Sequence, residues 1–175
     1  MNITSVRIGL LACALGGAAW AAEEPGGRAI LQPVSERKPA PEFLLQDSAG
    51  KSVSIQKLRG KVVLLDFWAT WCTGCKKEIP WFAEFQKKYG SRGFVVVGVS
   101  MDDAGWKVVK PFLADTKVPY RMLLGDETTG KRYGITSLPD TFLIDRDGKI
   151  AAAYTTGLVD KDNVEANVQA LIGGR

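Results

Sequence analysis

Residues 62–76, VVLLDFWATWCTGCK, decide the fold of this 175-residue chain. The first seven are apolar except for Asp66, a pattern that predicts a central β-strand covered on both faces. Apolar residues then recur at steps of three and four up to Tyr89, which predicts a helix that ends at Gly90. The two cysteines of the stretch are therefore expected to lie where a buried strand is followed by a helix.

This position suits redox chemistry of the two cysteines, Cys72 and Cys75. The reactive form of a thiol is the thiolate, which the amino terminus of a helix stabilises through partial positive charge and free N–H donors. Cys72 is expected to be exposed and acidified there, and Cys75, one turn further on, to be shielded. Such an unequal pair can attack a disulfide, hold a mixed disulfide and then resolve it. An inert structural disulfide is the alternative for this spacing.

Composition excludes several other kinds of chemistry. The chain has no histidine, which rules out Ser–His, Cys–His and histidine–metal sites. The third cysteine is Cys13, so a four-cysteine zinc site is excluded as well, and we expect neither a metal nor another cofactor. A net charge of +4 without a long basic run gives no case for nucleic acid. Hydrophobic residues make up 46% and charged residues 24%, which are typical of a globular protein.

The first 21 residues are typical of a cleaved export signal. An arginine precedes an apolar stretch over residues 8–19, and Ala19-Trp20-Ala21 is a small-x-small pattern for signal peptidase. A retained membrane anchor, a buried helix or a lipoprotein attached through Cys13 are the alternatives. Residues 22–41, rich in Glu, Gly and Pro, are expected to form a flexible linker, and residues 42–175 the folded domain. The protein is then expected in the periplasm or another extracytoplasmic compartment.

The rest of the chain alternates between strand and helix patterns. Strands are expected at residues 43–45, 53–55, 94–99, 120–124, 141–144 and 150–155. Helices are expected at residues 106–116, in a short segment around 131–133, and in a last segment that stops at Gly173-Gly174. Strand–helix–strand units followed by a hairpin and a closing helix indicate an α/β sandwich with a mixed sheet.

Four motifs outline the domain between about Pro41 and Leu171. They are Gly60-Lys61-Val62-Val63, Phe67-Trp68-Ala69-Thr70-Trp71-Cys72, Cys75-Lys76-Lys77-Glu78-Ile79-Pro80 and Leu138-Pro139-Asp140-Thr141-Phe142-Leu143-Ile144-Asp145. Together they resemble the thioredoxin superfamily and, within it, the exported TlpA/ResA-like thiol–disulfide oxidoreductases. The resemblance implies a thioredoxin-like three-layer sandwich with a central mixed sheet and an amino-terminal β-hairpin extension.

The resemblance also implies where a substrate binds. Pro139 is expected to follow a cis peptide bond, which places the backbone of Leu138 beside the cysteines. A substrate peptide can then pair with that backbone as an added strand, with further contacts from Trp71 and Thr73. A trans proline that opens a strand is the alternative.

Two acidic residues are candidates for proton transfer. Asp66 is the only charge in an apolar strand, and burial of a carboxylate raises its pKa, so we expect Asp66 to shuttle the proton of Cys75. An exposed edge position is its alternative. Glu78 matches the glutamate in the family's C-x-x-C-x-x-E-x-P pattern and is expected to tune the cysteine pair. A solvated surface glutamate is the alternative for Glu78.

These expectations combine into an extracytoplasmic thiol–disulfide oxidoreductase that reduces protein disulfides, for example in cytochrome c maturation. Its expected partners are disulfide-containing protein clients and a membrane electron donor, and the protein is expected to be a monomer. Because Thr73-Gly74 lacks the proline often found between the cysteines, the reduction potential and the direction of electron flow stay open.

Three other functions are alternatives. A peroxiredoxin-like thiol peroxidase shares the outline, but Ala69 lies where its P-x-x-x-T-x-x-C pattern has threonine. A metal-binding assembly factor of the copper-chaperone kind needs a histidine, which the chain lacks. A non-catalytic binding module has no need for a cysteine pair at a helix terminus.

Overall fold

The computed structural model describes residues 27–155 and 157–174, and the predicted export signal lies outside these residues. In chain order the elements are β1 (Leu44–Asp47), β2 (Ser52–Ser54), a 3₁₀ helix (Ile55–Leu58), β3 (Val62–Trp68), α1 (Thr73–Tyr89), a second 3₁₀ helix (Gly90–Arg92), β4 (Phe94–Ser100), α2 (Trp106–Thr116), β5 (Arg121–Leu124), α3 (Glu127–Tyr133), β6 (Asp140–Ile144), β7 (Ile150–Tyr154) and α4 (Lys161–Gly173). Within the described residues, no helix has the length and apolar character needed to cross a membrane.

The seven strands form one mixed sheet in the order β2-β1-β5-β4-β3-β6-β7. β3, β4 and β5 are parallel neighbours, whereas β6 runs antiparallel to β3, and β7 antiparallel to β6. At the other end of the sheet, β1 and β2 form an antiparallel hairpin, and β1 pairs with β5. The predicted mixed sheet is confirmed, and the β1–β2 hairpin corresponds to the predicted amino-terminal extension.

Helices cover both faces of the sheet, which gives three layers. On one face, α1, α2 and α4 contribute Phe82, Val109 and Val168 to a continuous apolar core. On the other face, Tyr133 of α3 packs against Phe67 of β3, with the ring centroids 5.0 Å apart. Every residue of β3 is buried, as predicted for a central strand. The cysteine pair begins four positions after the end of β3, so this buried strand determines where the pair lies.

Residues 27–41 differ from the predicted flexible linker, because they pack along the edge of the sheet at β7. The backbone N–H of Gln32 donates to the carbonyl oxygen of Ala151 at 2.8 Å. The guanidinium of Arg37 forms an ion pair with the largely buried carboxylate of Asp145 at 3.0 Å. An edge strand carries unpaired N–H and C=O groups, and this segment satisfies some of them. The linker expectation is therefore corrected for this part of the chain.

Candidate active site

Cys72 and Cys75 form a disulfide at the amino end of α1. Cys72 is the N-cap of the helix, and its sulfur accepts a hydrogen bond from the backbone N–H of Cys75 at 3.1 Å. The sulfur of Cys72 thus lies where the helix offers free N–H donors, as predicted. Cys72 is 5% exposed and Cys75 is fully buried. The expected exposure of Cys72 is therefore wrong for the oxidised pair, in which its sulfur is turned towards Cys75, although Cys72 is still the more accessible of the two.

The peptide bond between Leu138 and Pro139 is cis, as predicted. Pro139 lies against the start of α1: a Cβ placed on Gly74 would be 3.3 Å from Pro139 Cδ, so the glycine between the cysteines permits this close approach. Among the described residues, no hydrogen bond joins the backbone of Leu138 to another backbone group. As far as the described residues show, its N–H and C=O are available to pair with an added strand.

The side chains predicted to contact a substrate differ in exposure. Trp71 is 67% exposed, Thr73 is exposed, and Leu138 is half-buried. Trp68, in contrast, is fully buried, and its ring centroid lies 5.0 Å from that of Phe112 in α2. An exposed indole next to the cysteine pair offers an apolar surface with a polar edge, a combination that is common at binding interfaces.

Asp66 lies within β3 and is completely buried, which excludes the edge position. Thr141 Oγ1 donates a long hydrogen bond of 3.4 Å to Asp66 Oδ1, and Oδ2 has no hydrogen-bond partner among the described residues. Burial raises the pKa of Asp66 well above its usual value, the negative charges of Glu78 and Asp140 raise it further, and the bond from Thr141 acts to lower it. This carboxyl group therefore holds its proton more readily than an exposed aspartate does.

Glu78 is also completely buried, so the alternative of a solvated surface glutamate is wrong. Its Oε1 accepts a hydrogen bond from the backbone N–H of Val159 at 2.7 Å, whereas Oε2 has no partner among the described residues. Burial raises the pKa of Glu78 to about 7, although the bond from Val159 acts to lower it. Glu78 therefore changes its protonation state near neutral pH.

Asp66 and Glu78 are the candidates for proton transfer with the cysteine pair. Cys75 and Glu78 are three positions apart on α1, a spacing that puts them on one side of the helix. The charge of Glu78 raises the pKa of Asp66, so the two carboxyl groups lie within electrostatic reach of each other. A carboxyl group with a pKa near the working pH is suited to accept the proton of a thiol. No cluster of three or more possible metal ligands exists in the part of the chain that the structure describes.

Asp102 lacks a motif that would single it out in the sequence, yet it holds the active-site loop. Its carboxylate accepts three hydrogen bonds, from Thr70 N at 2.9 Å, Thr70 Oγ1 at 2.6 Å and Ser100 Oγ at 2.8 Å. Thr70 lies two residues before Cys72, so these bonds tie the loop to the end of β4. The sequence signal that could have singled out Asp102 is its position just after β4. The carboxyl ends of the parallel strands β3 and β4 meet at one edge of the sheet, so a residue there lies near the loop that follows β3.

Comparison with known proteins agrees with this geometry. Residues 37–153 match the sequence profile of the AhpC/TSA family. The chain belongs to this family. Thiol-disulfide oxidoreductase ResA of Bacillus subtilis strain 168 is 36% identical over 155 residues, which are 86% of this chain and 83% of ResA. ResA of Bacillus thuringiensis subsp. konkukian is 39% identical over 115 residues, and this match spans 65% of each of the two chains.

Solved structures place this AhpC/TSA family member among thioredoxin-like proteins. A crystal structure from Chlorobium tepidum, described as that of a candidate thiol:disulfide interchange protein DsbE, has a TM-score of 0.74 and 35% sequence identity. The match covers 78% of this chain and 97% of that chain. The predicted thioredoxin-like fold and the predicted resemblance to ResA-like proteins are confirmed.

Proposed function

We propose that this protein is an exported thiol–disulfide oxidoreductase that reduces the disulfides of client proteins through Cys72 and Cys75. The observation that carries the proposal is the disulfide at the start of α1, which lies beside cis Pro139 and near two buried carboxyl groups, those of Asp66 and Glu78. The relatives with the name thiol-disulfide oxidoreductase ResA support the same activity.

The reaction needs one thiolate to attack and one to resolve. The Cys72 thiolate attacks a sulfur of the client disulfide, a mixed disulfide forms, and the other client sulfur leaves as a thiolate that takes up a proton. Cys75 then gives its proton to a buried carboxylate, and the Cys75 thiolate attacks the Cys72 sulfur. The second client sulfur leaves and is protonated. Two electrons have then passed to the client, and the Cys72–Cys75 disulfide seen in the structure remains.

The client docks across Trp71, Thr73 and the Leu138-Pro139 edge in this proposal. The backbone N–H and C=O of Leu138 have no backbone partner within residues 27–155 and 157–174, which supports pairing with an extended client segment, and the exposed Trp71 indole supports apolar contact. Backbone pairing reads few side chains, so it favours locally unfolded segments that contain a cysteine and tolerates many sequences.

The setting of the reaction is also part of the proposal. The export signal expected over residues 1–21 supports a location outside the cytoplasm, where disulfides persist. A reductase there needs a dithiol partner in the membrane that returns two electrons after each cycle. We place the protein there as a monomer, with apocytochromes c in maturation as one class of client.

A trapping experiment tests this function. In Cys75→Ala the resolving thiol is missing, so mixed disulfides between Cys72 and clients should accumulate in the compartment to which the full chain is exported. Mass spectrometry of these complexes names the clients. The matched control is Cys72→Ala, which retains one buried cysteine and should capture far fewer proteins.

The same experiment separates the peroxidase alternative from the proposal. We expect the wild-type protein to reduce a protein disulfide and to leave hydrogen peroxide almost untouched. If Cys75→Ala captures nothing while the wild-type protein reduces peroxide rapidly, the oxidoreductase proposal is wrong.

A further inference from the structure

Three loops meet at the end of the sheet that lies opposite the cysteines. β3 and β4 are parallel and both begin at this end, whereas β6 runs antiparallel to β3 and ends there. The loops are residues 59–61 before β3, residues 90–93 before β4 and residues 145–149 after β6. The cysteines follow the other end of β3, whose seven residues span about 20 Å. The length of this strand therefore separates the three loops from the active site.

Hydrogen bonds of Arg146 join the three loops into one surface. Its Nη1 donates to the carbonyl oxygen of Gly60 at 2.9 Å, and its Nη2 donates to the carbonyl oxygen of Arg92 at 3.4 Å. The backbone N–H of Gly60 donates in return to the carbonyl oxygen of Arg146 at 2.7 Å. The side chain of Arg59 lies over the last loop, since its Nε would be 3.2 Å from a Cβ placed on Gly148. Direct contacts thus bring these cations together.

The charge of this surface is strongly positive. Its five cations, which we call the basic end, are Arg59, Lys61, Arg92, Arg146 and Lys149. Within residues 27–155 and 157–174, none of the five forms an ion pair with an acidic side chain. Of the two acids in the same loops, Asp145 is paired with Arg37, and Asp147 is exposed. One exposed carboxylate therefore faces five cations.

The loops around the cysteines carry the opposite charge. The loops that follow β3, β4 and β5 contain three aspartates and no lysine or arginine. These aspartates are Asp102, Asp103 and Asp126. Charges on a protein surface attract or repel a charged partner over about a Debye length, and this field orients the partner before contact. An anionic surface is therefore attracted to the basic end and repelled by these loops.

The chemistry of the basic end fits lipid headgroups better than a protein partner. Protein interfaces usually have an apolar core that is rich in aromatic side chains. The large exposed apolar side chains of the described residues all lie outside the three loops; they are Ile30, Val34, Leu44, Trp71 and Leu158. Clustered lysines and arginines bind anionic lipids through charge alone. The export predicted from residues 1–21 supports the same partner, because it brings the protein to the outer side of a membrane.

We propose that the basic end binds the anionic phospholipid headgroups of a bilayer and holds the cysteines on the side that faces away from it. This surface is separate from the client contacts at Trp71, Thr73 and the Leu138-Pro139 edge, so the protein can bind a membrane and a client at the same time. The inference goes beyond the proposed function and rests on it only for the predicted export. Binding to the bilayer needs no redox activity.

Arg59→Gln combined with Lys61→Gln tests the proposal, because both side chains are exposed and neither forms an ion pair among the described residues. The probe is vesicles of equal parts phosphatidylglycerol and phosphatidylcholine in about 0.05 M salt. The double variant should bind them about 25-fold more weakly than the wild-type protein, about fivefold for each cation. The matched control, Lys107→Gln with Lys110→Gln, removes two exposed lysines of α2 and the same net charge, and should bind almost as tightly as the wild-type protein.

Three further arms establish the kind of ligand. Vesicles of phosphatidylcholine alone should not bind the protein, and about 0.5 M salt should release it from the anionic vesicles, because the attraction is electrostatic. Inorganic phosphate at constant ionic strength should not displace it, since a single anion covers little of the surface. Equal binding to neutral vesicles, or equal losses in the two double variants, would overturn the inference. Displacement by inorganic phosphate would overturn it too, because the site would then be one for a free anion.

Hydrogen exchange of the vesicle-bound protein tests the orientation. Backbone amides of residues 59–61 and 90–93 should exchange more slowly on binding, whereas those of residues 70–72 should be unchanged. Iodoacetamide labelling of Cys72 in the reduced protein should proceed equally fast with and without vesicles. Slower exchange at residues 70–72 on binding would contradict the orientation. If the protein binds as expected but reduces no disulfide, the proposed function fails and the membrane-binding inference stands.

Discussion

Two buried acidic sites near the cysteines differ in how many donors face them. The carboxylate of Asp102 accepts three hydrogen bonds of 2.6–2.9 Å from Thr70 and Ser100. Asp66 receives a single bond of 3.4 Å from Thr141, and one of its oxygens has no partner among the described residues. Both side chains are shielded from water, so burial alone does not separate them.

The number of donors assigns different roles to the two sites. Three donors compensate the charge of a buried carboxylate, which can then serve as a permanent anchor for the loop before Cys72. A buried carboxyl group with few donors is stabilised by holding a proton, and the raised pKa values of Asp66 and Glu78 express this. In the proposed function, Asp102 therefore fixes the loop before the attacking cysteine, whereas Asp66 and Glu78 exchange protons.

Loss of the three hydrogen bonds of Asp102 should cause the largest loss of stability. Asp102→Ala leaves the N–H and hydroxyl of Thr70 and the hydroxyl of Ser100 without their acceptor, which should lower the free energy of unfolding by about 4 kcal/mol. Urea unfolding of the oxidised protein measures this loss. The control is Asp103→Ala, at an exposed neighbouring position. Equal losses in the two variants would show that the hydrogen bonds of Asp102 do not anchor the loop.

The raised pKa of Glu78 should make the free energy of unfolding depend on pH. Its pKa is raised from 4.5 to about 7, so the folded protein keeps a proton that the unfolded chain releases. This contribution is complete below pH 4.5 and is lost as the pH rises to about 7, a fall of about 3 kcal/mol in the free energy of unfolding. In Glu78→Gln, whose side-chain oxygen can still accept from Val159, that part of the fall should disappear. Urea titrations at several pH values check it, and an unaltered slope in the variant would contradict the role given to Glu78.

Asp66→Asn should change the free energy of unfolding less than Asp102→Ala does, and it should stabilise the protein where the Asp102 substitution destabilises it. Removing a buried carboxylate that has only one long hydrogen bond should raise the free energy of unfolding at pH 8 by about 1–2 kcal/mol, whereas Asp102→Asn should lower it. Turnover with a small disulfide should slow about tenfold, because a proton acceptor is lost, with only a modest change in reduction potential. A pH–rate profile identical to that of the wild-type protein would count against proton transfer through Asp66.

Much of the fold could be predicted because its central strand has an unambiguous composition. Seven consecutive residues of β3 are buried, and the only charge among them, Asp66, had to be buried with them. The helical spacing after Cys75 likewise locates α1 to within a residue of its observed end. The cis bond before Pro139 follows from the resemblance of its motif to the thioredoxin superfamily.

The features that could not be predicted depend on contacts between distant parts of the chain. Residues 27–41 lack hydrophobic periodicity, yet their backbone groups pair with the edge at β7. The hydrogen-bond donor that buried Glu78 meets is the N–H of Val159, 81 positions away. Asp102 reaches Thr70 only because β4 pairs with β3, which brings the ends of the two strands together. A sequence pattern reports which residues are apolar, and it does not report which donors a buried acid meets.

The most direct measurement of the central claim is the alkylation rate of each thiol in the reduced protein. Iodoacetamide labelling at pH 7, followed by peptide mapping, should modify Cys72 at least about tenfold faster than Cys75, because Cys72 caps α1 and is the more accessible thiol. Cys75, buried one turn further along the helix, should react only when the pH is high enough to ionise it. Preferential modification of Cys75 at pH 7 would contradict the assignment of Cys72 as the attacking thiol and of Cys75 as the resolving one.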